Sequence, residues 1–566
     1  MKQEITKSVE KALDNLGITN GVFKIDYPDN AEHGDFSCNA AMAYAKQLKL
    51  APKVLADNIV EELNKALPVF VESVAVAGPG FINFKVKDVA FAESVIGKTT
   101  GKDATSSGKK VMVEYTDPNP FKVFHIGHLM SNAIGESISR LIESGGAEVI
   151  RACYQGDVGL HVAKTIWAIQ KKGMTAADAA GSVTDKVRWL GEMYVYGSQF
   201  DEDAAVQKEI AVVNKKIFEK SDPAINEIYE QGRKWSLEYF DIIYKRLGTD
   251  FKQFFFESEV ADDGIKVVRE FLKEGVFSES EGAIVFKGED HGLHTRVFIT
   301  SQGLPTYEAK EIGLNIEKFR KYPDLSESVI ITANEQNDYF RVLLKAFSLI
   351  DSNVSNKTKH ISHGIMRFAA GKMSSRKGNI VSAEELIADI RALVIEKIAD
   401  REFSPEEKDE VADMIAIGAI KYTILRQATG GDVIFDSASS ISFEGDSGPY
   451  LQYAVVRANA VLGKVVSGQL KVVSKETQLP EQVTMLEKLL SRYADIKERA
   501  RAEYAPQAIA QYLMSLAGAF NGYYAVNQIV DDTDPLSPYR VALTKKFVET
   551  MTDGLWLLGI KVPKRM

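Results

Sequence analysis

The fold is decided by KKVMVEYTDPNPFKVFHIGHLMSNAIGESISRLIESGGAEVIRACY, residues 109–154. The opening KKVMVEYT has the apolar pattern of a buried strand, and DPNP predicts a turn. An amphipathic helix follows, with Met130, Ile134, Ile138 and Leu141 on one face, until two glycines end it. EVIRACY is a second β-rich run. Strand, helix and strand with short joins predict a right-handed parallel crossover, the building block of a doubly wound nucleotide-binding sheet.

Within this stretch, HIGH at residues 125–128 lies between the predicted strand and helix. His125 and His128 can donate hydrogen bonds to a triphosphate, and the helix end adds unpaired N–H groups and a favourable dipole. Gly127 has no Cβ, so a flat base such as adenine can lie against the backbone. Two surface histidines at a turn are the competing interpretation. Ligands of open sheets bind at this edge, which favours the nucleotide site, and zinc fits less well because no third ligand with suitable spacing is near.

A second segment with chemical content is AGKMSSRKGNIV, residues 370–381. A cationic, hydroxyl-rich loop flanked by glycines suits a mobile clamp over phosphates, where it would stabilise the charge that develops as pyrophosphate leaves. A basic run of this length is more often a solvated loop when it stands alone. Its combination with HIGH favours the phosphate clamp.

The rest of the chain divides into three predicted domains. Residues 1–105 mix helical patterns with an alternating strand pattern and predict a small α+β domain. Residues 106–384 hold the sheet domain, with a charged helical insertion at about 171–248 and strand-like runs in AIVFK, TRVFIT and SVIITA. Residues 385–566 predict an all-helical domain with one short strand near Val433.

The composition is that of an ordinary globular chain, with 566 residues of which 45% are apolar and 26% charged. Its 69 basic and 78 acidic residues leave a net charge of −9. This charge argues against wholesale coating of nucleic acid or adhesion to an anionic membrane, but it allows local basic patches.

Cysteine usage and the N-terminus indicate the compartment. Cys38 and Cys153 lie far apart, which supports neither a disulfide framework nor a thiolate zinc site and fits a reducing environment. The first residues have the pattern of an amphipathic surface helix, not of a signal peptide. No run approaches the roughly 20 apolar residues that cross a bilayer. We therefore expect a cytoplasmic protein with no membrane partner.

HIGH followed far downstream by a KMS-type loop resembles the class I aminoacyl-tRNA synthetases, and the flanking segments narrow the resemblance to the arginyl-tRNA synthetase family. These segments are VEYTDPNPFKVFHIGHL, YQGDVGLHVAK, LPTYEAKEIG, HGDFSCNAAMAYAK and GDSGPYLQYAVVRANAVL. The resemblance implies a Rossmann-type catalytic core between an N-terminal tRNA-binding domain and an all-α anticodon-binding domain. It implies an arginine–tRNA ligase acting in protein synthesis, with L-arginine, ATP and tRNA(Arg) as partners and Mg²⁺ accompanying ATP. It further implies that adenylate formation needs bound tRNA.

The resemblance also implies an arginine pocket. It assigns Glu114, Tyr307 and Glu311 to the arginine side chain, and Asp117, Asn119 and His125 to its α-amino and carboxylate groups. A planar guanidinium needs carboxylate partners, and the i to i+4 spacing puts Tyr307 and Glu311 on one helix face. The family usually has Asp where this chain has Glu311. Without the resemblance, YEAKE would predict an exposed charged helix.

The nucleotide end of the predicted site is built from HIGH and the KMS-type loop, and the resemblance implies that the lysine before HIGH shares their work. The residues predicted to act on ATP and the transition state are Lys122, His125, His128 and Lys372. The residues predicted to bind ATP are His125, Gly127, His128, Lys372, Ser374 and Ser375. The substrate carboxylate is itself the nucleophile on the α-phosphorus, so these residues act by position and electrostatics and no general base is needed. No protein ligand for a metal is predicted.

Three alternatives stay open at this point. The chain could charge tRNA with another amino acid such as lysine, because Glu311 departs from the family pattern. It could be a non-catalytic tRNA-binding paralogue, or a small-molecule adenylyltransferase that shares the HxGH pattern. For Tyr523 and Tyr524, stacking on anticodon bases and a helix–helix contact are weighted evenly. For His360 and His363, nucleotide contact and packing are both retained. We expect a monomer.

Overall fold

A computed structural model describes residues 1–28, 30–97, 106–369, 381–465 and 477–566. In chain order the strands are β1 (Ile25–Asp26), β2 (Phe36–Cys38), β3 (Val71–Ala77), β4 (Phe81–Val86), β5 (Lys110–Glu114), β6 (Glu148–Gln155), β7 (Gln253–Phe256), β8 (Ser278–Ser280), β9 (Ala283–Phe286), β10 (Arg296–Ile299), β11 (Glu327–Ala333), β12 (Thr358–His363), β13 (Met366–Phe368) and β14 (Val433–Phe435). The helices are α1 (Lys2–Asn15), α2 (Ala40–Leu48), α3 (Pro52–Asn64), α4 (Asp88–Ile96), α5 (Ile126–Ser144), α6 (Leu160–Lys171), α7 (Val183–Ser198), α8 (Ala204–Glu219), α9 (Pro223–Leu247), α10 (Glu257–Lys273), α11 (Tyr307–Lys321), α12 (Asn337–Ile350), α13 (Ser352–Lys357), α14 (Ala383–Lys397), α15 (Pro405–Leu425), α16 (Ser437–Ser440), α17 (Gly448–Leu462), α18 (Met485–Ala502), α19 (Pro506–Val526) and α20 (Ser537–Leu557). Single 3-10 turns lie at Ala31–His33, Ala176–Asp178, Gly288–His291 and Asn334–Gln336.

The chain divides into two compact units. One contains Met1–Thr100, Ala458–Tyr493 and Gly518–Val548, and the other contains Gly101–Arg457, Ala494–Ala517 and Glu549–Met566. None of the described helices is long and apolar enough to cross a membrane. The predicted domain bounds 1–105, 106–384 and 385–566 stay predictions.

The larger unit is built on a five-stranded sheet in the order β12-β11-β5-β6-β7, in which all four neighbouring pairs are parallel. Val111, Met112 and Val113 of β5 are all buried, as expected for a central strand covered on both faces. The chain runs from β5 to β6 and β7 on one side and returns to β11 and β12 on the other. The gap between β5 and β11 is therefore a topological switch point. The predicted doubly wound sheet is confirmed.

Helix α5 carries the face predicted from the sequence, since Met130, Ile134, Ile138 and Leu141 are buried. The charged stretch predicted to be helical holds α7, α8 and α9. The sequence explains the bounds of α9: the Asp222 side chain accepts the N–H groups of the first turn, and Gly248 ends the helix with φ of 75°.

Two of the predicted strand-like runs lie outside the parallel sheet. AIVFK and TRVFIT form β9 and β10 of a separate antiparallel sheet, in the order β10-β9-β8, whereas SVIITA is β11. The predicted short strand near Val433 is β14, which pairs with β13.

The smaller unit contains an antiparallel sheet in the order β1-β2-β4-β3, with α1, α2 and α3 among the elements of its core. Ile5 and Val9 from α1 and Phe36 and Phe84 from the sheet are buried in this core. The α+β character predicted for the start of the chain is confirmed, and the described region from α14 onward is helical apart from β14.

Candidate active site

A cavity of about 420 Å³ opens at the carboxyl ends of β5, β11 and β12. Its lining brings together segments that are far apart in sequence: Thr116, Asp117, Asn119, residues 125–128, Met130, Ser131, residues 331–333, Glu335, Gln336 and residues 363–366. This is the crevice at the switch point, where open α/β sheets bind their ligands. Five of the predicted site residues line it, namely Asp117, Asn119, His125, Gly127 and His128.

The two histidines of HIGH form a stacked pair at the start of α5, with ring centroids 3.5 Å apart. Nδ1 of His125 accepts the backbone N–H groups of Gly127 at 3.1 Å and His128 at 3.4 Å. Nδ1 of His128 accepts the N–H of His125 at 3.3 Å. Both Nδ1 atoms are therefore acceptors, and the proton of each neutral ring lies on Nε2.

Both imidazoles are neutral at pH 7. Burial, assisted by the charge of Lys122, lowers the pKa of His125 to about 4. Burial, with His125 and Lys122 nearby, holds the pKa of His128 well below its usual value. The pair therefore presents two Nε2–H donors and no positive charge.

The geometry corrects one expectation for this helix end. The predicted unpaired N–H groups are already bonded, because the His125 side chain accepts two of them and the N–H of Ile126 donates to Val381 O at 3.3 Å. The donors available to a phosphate are thus the imidazole N–H groups. A Cβ on Gly127 would lie 3.0 Å from the His125 ring, so this glycine also makes room for that ring.

Lys122 does not line the cavity that contains His128 and Gly127. It lines a neighbouring cavity of about 640 Å³ that also includes His125 and Tyr194, and its Nζ lies 4.4 Å from the centre of the Tyr194 ring. His125 is thus the residue that the two cavities share.

Lys372, Ser374 and Ser375 lie outside the described residues. The chain on either side of them is described and reaches the site. Met366 lines the first cavity, and the N–H of Ala383 donates to Phe124 O at 2.9 Å, directly before HIGH.

The predicted arginine pocket is a cluster of buried acidic groups beside this cavity. Glu114 ends β5 and Glu311 lies on α11; both are buried, and Glu311 accepts from Asn315 at 3.3 Å. Asp117 follows β5 in the left-handed region, with φ of 43°, and its Oδ1 accepts the N–H of Tyr154 at 2.7 Å. Burial and the charge of Glu114 raise the pKa of Asp117 well above its usual value and that of Glu311 to about 8. Such a surplus of acid favours a cationic ligand.

Tyr307 only partly fits the predicted role. It begins α11, is 60% exposed, and lines neither of these two cavities. Its carbonyl accepts the Tyr339 hydroxyl at 3.3 Å, and Lys310 Nζ lies 4.4 Å from the centre of its ring. The interpretation of YEAKE as an exposed charged helix is wrong for Glu308, Lys310 and Glu311, which are buried.

Comparison with known proteins identifies the family. The family model "tRNA synthetases class I (R), catalytic domain" matches residues 92–437, "Arginyl tRNA synthetase N terminal domain" matches 2–86, and "DALR anticodon binding domain" matches 451–566. The chain belongs to the arginyl-tRNA synthetase family. It is 30% identical to an arginine–tRNA ligase of Limosilactobacillus reuteri and 29% to one of Clostridium perfringens, each over the full length of both chains. Its fold matches the arginyl-tRNA synthetase of Thermus thermophilus with a TM-score of 0.83 and 25% identity over both complete chains.

These matches confirm the prediction of a class I arginine–tRNA ligase with ATP as a substrate. They also weaken the rival interpretation of a small-molecule adenylyltransferase, because the flanking regions match tRNA-synthetase domains as well.

Sequence reasoning missed several residues of this synthetase site. Lys318, on α11, is completely buried with its Nζ 2.9 Å from Glu114, and Lys310 forms a second buried ion pair with Glu257. Thr332 and Glu335, which line the cavity, lie at or just beyond the carboxyl end of β11. Predicting them requires knowledge of the strand order, because only the order places this end beside β5. For Lys318 the sequence did carry a signal: Glu311, Asn315 and Lys318 have the spacing of one helix face.

The structure gives His363 and His360, for which the sequence left two roles open, different surroundings. His363 lines the cavity, and its ring bonds Gly364 O at 2.8 Å. His360 stacks on Phe340 with ring centroids 3.9 Å apart, which is a packing role. Tyr524 stacks on Phe520 with centroids 6.2 Å apart, so a packing contact exists for it, and anticodon stacking by Tyr523 and Tyr524 stays a prediction.

Asp157, in the YQGDVGLHVAK segment, has a fully buried side chain that joins α9 to α10. Its carboxylate binds Arg233 Nε at 2.8 Å, Ser258 N at 2.9 Å and Ser258 Oγ at 2.7 Å. This network fixes the start of α10, where Glu257 meets Lys310.

Proposed function

We propose that this synthetase forms arginyl-adenylate from L-arginine and ATP across the cavity at the switch point, and then transfers the arginyl group to the 3′ end of tRNA(Arg). One observation carries the proposal: a pair of neutral imidazole donors lines the same crevice as Asp117, which belongs to the cluster of buried carboxylates. The first suits phosphate oxygens and the second suits a guanidinium.

At the nucleotide end, His125 and His128 would donate their Nε2–H groups to phosphate oxygens as charge builds there, and Gly127 would lie beside the nucleotide. Lys122 and Lys372 would add positive charge to the leaving pyrophosphate, with Ser374 and Ser375 as hydroxyl donors. The arginine carboxylate attacks the α-phosphorus, and pyrophosphate leaves with its bonding electrons. Position and electrostatics therefore account for the rate.

At the amino-acid end, Glu311 and Glu114 would face the guanidinium and Tyr307 would border its entry. Asp117 and Asn119, which line the cavity, would meet the α-amino and carboxylate groups together with His125. The longer side chain of Glu311, where the family usually has Asp, reaches further toward the substrate and would set the pocket depth.

Further parts of the proposal concern the partners. Among the described residues, no three acidic, histidine or cysteine side chains converge to hold a metal ion, so Mg²⁺ is proposed only as the ion that ATP carries. We propose that the regions matched by the N-terminal and anticodon-binding models contact tRNA, and that arginine activation needs this tRNA. We also propose a cytoplasmic monomer. Cys38 and Cys153 are both buried free thiols, which suits a reducing compartment.

Arginine-dependent ATP–pyrophosphate exchange, measured with and without tRNA(Arg), tests the proposal. We expect exchange with arginine and not with lysine; equal or greater exchange with lysine would overturn the arginine assignment. Replacing His125 or His128 by Ala removes one donor and should lower kcat by about 10²-fold. A Lys372→Ala variant that charges tRNA at an unchanged rate would refute the role of the KMS-type loop.

A further inference from the structure

A buried ion pair adjoins the predicted arginine pocket and is not explained by substrate binding itself. Lys318 is 0% exposed and Glu114 is 1% exposed, and Lys318 Nζ lies 2.9 Å from Glu114 Oε2. A completely buried ammonium costs much desolvation energy, and a pair of apolar side chains would avoid that cost. The buried ammonium places a fixed positive charge beside the carboxyls of the pocket.

The titratable and polar groups that act on Glu311 come from five elements and the loop after β5. They are Lys318 and the polar Asn315 on its own helix α11, Glu114 on β5, Asp117 after β5, Tyr154 on β6, Glu257 on α10 and Tyr339 on α12. Two of the four carboxyls have a cation: Glu114 has Lys318 and Glu257 has Lys310. Among the described residues, no lysine, arginine or histidine forms an ion pair with Glu311 or Asp117. These two acidic groups thus share the influence of Lys318 with Glu114 and, in the described part of the chain, have no ion-pair partner of their own.

We propose that Lys318 is a positioning residue that sets the charge of the arginine pocket: its ammonium is the ion-pair partner of Glu114, so that Glu311 and Asp117 keep one proton between them until the guanidinium enters and displaces it. This inference rests on the proposed function, because it assumes that arginine occupies this pocket.

The physical reason is that two buried carboxyls without a cation do not both ionise. Burial and the charge of Glu114 raise the pKa of Glu311 to about 8 and hold that of Asp117 well above its usual value. Because the charge of Glu311 is one of the causes that raise the pKa of Asp117, a proton on Glu311 eases the ionisation of Asp117, and the pair holds one proton at neutral pH. A guanidinium stays charged at every pH of interest and cannot give up its own proton. When it arrives, the carboxyl releases its proton to solvent, and the positive charge of the guanidinium matches the one negative charge that this release creates.

The number of protons released on binding can be measured by calorimetric titration of L-arginine into the full-length enzyme without tRNA. The titration is repeated in two buffers of different ionisation enthalpy. We expect close to one proton released per arginine at pH 7, falling as the pH rises through about 8. Because only the doubly ionised pocket binds, the Kd at pH 7 should be about fivefold weaker than at pH 8. The α-amino group of arginine titrates near the upper end of this range, so the comparison stops at pH 8.

Variants separate the roles. Glu311→Gln should abolish the proton release and make the Kd independent of pH. Lys318→Met removes the fixed cation, so we expect the release at pH 7 to exceed the wild-type value, whereas Lys318→Arg should restore it. Lys321→Met, on the exposed end of the same helix, is the matched control and should match the wild type. If Lys318→Met does not fold, Glu114→Gln provides the second test, since removing the charge that holds the proton on Glu311 should reduce the release.

The outcomes are distinguishable from failure of the proposed function. No arginine binding at all would overturn the assignment of the pocket to arginine. Tight arginine binding without proton release, or with a Kd that does not change between pH 7 and 8, would leave that assignment intact and overturn the inference. An unchanged proton count in Lys318→Met and in Glu114→Gln would refute the role of Lys318.

Discussion

Gly264→Ala is the substitution that best tests how the amino-acid pocket is held. Helix α10 crosses α11 at Gly264, where a Cβ would lie 2.0 Å from the carbonyl oxygen and 2.7 Å from the carbonyl carbon of Ala309. Both are backbone atoms, so no side chain can rotate away. Ordinary contact begins at 3.4 Å, and the two helices must therefore separate by more than about 1 Å at this point.

Two effects of different size follow. Overpacking of a well-packed core costs about 1–3 kcal/mol, so the free energy of unfolding of the larger unit should fall by that amount. Helix α11 also carries Glu311 and Lys318, and a misplacement of about 1 Å can cost up to about 10²-fold in activity. We expect the Kd for arginine to rise at least tenfold. The Kd for ATP should change much less, because no residue that lines the HIGH cavity lies on α10 or α11.

The assays are thermal unfolding followed by far-UV circular dichroism, and separate calorimetric titrations with arginine and ATP. Gly518→Ala is the matched control: it is the same substitution within helix α19, where nothing lies within 4 Å of the added Cβ. That control should be neutral or slightly stabilising, since Ala favours helix over Gly. Unchanged stability and unchanged arginine affinity in Gly264→Ala would refute the predicted displacement of α11. An equal loss of ATP affinity would show that the substitution acts on the whole site and not through α11.

Three other predictions concern separate parts of the larger unit. Gly127→Ala should lower kcat with a stability change below about 1 kcal/mol, because the added Cβ lies 3.0 Å from the His125 ring and displaces the imidazole; steady-state kinetics with ATP checks it. Asp157→Asn should cost about 2 kcal/mol in urea unfolding, since it leaves the partly buried Arg233 without its carboxylate; an unchanged unfolding midpoint would contradict this. Lys421 Nζ donates to Leu247 O at 2.6 Å and to Gly559 O at 2.8 Å, and burial lowers the pKa of this lysine to about 7. Between pH 7 and 10.5 the unfolded state therefore binds more protons than the folded state, and the free energy of unfolding rises with pH. Lys421→Met should remove that rise, as measured by thermal unfolding of both proteins at pH 7 and 9.

The sequence predicts the core of this fold well because its information is local. β5, α5 and β6 follow from hydrophobic periodicity within one stretch, and HIGH sits at the junction that periodicity defines. The switch point could not be predicted in the same way. It depends on β11 returning beside β5 after more than two hundred intervening residues, so Thr332 and His363 reach the cavity through contacts that no local pattern encodes.

Helix α11 shows why the pocket was harder to predict than the nucleotide end. YEAKE, with three charged residues among its five, favours a solvated helix when it is considered alone. Glu308, Lys310 and Glu311 are buried because Gly264 and Gly313 allow α10 and α11 to approach closely, which brings Glu257 against Lys310. Glycines and charged partners on other segments thus decide whether a charge is buried. The hydrophobic periodicity of one segment cannot predict them.

The two ends of the site treat charge in opposite ways, and burial explains both. At the nucleotide end, burial and Lys122 keep His125 and His128 neutral, so these residues contribute oriented N–H dipoles whose protonation does not change near pH 7. At the arginine end, burial with too few cations keeps a proton on the carboxyls until the substrate supplies the missing charge. A phosphate can be stabilised by dipoles that cost no reorganisation during the reaction, whereas a guanidinium must bring its own charge into the protein. A change of pH near neutrality should therefore alter the affinity for arginine and leave the contacts of the two histidines with ATP unaffected.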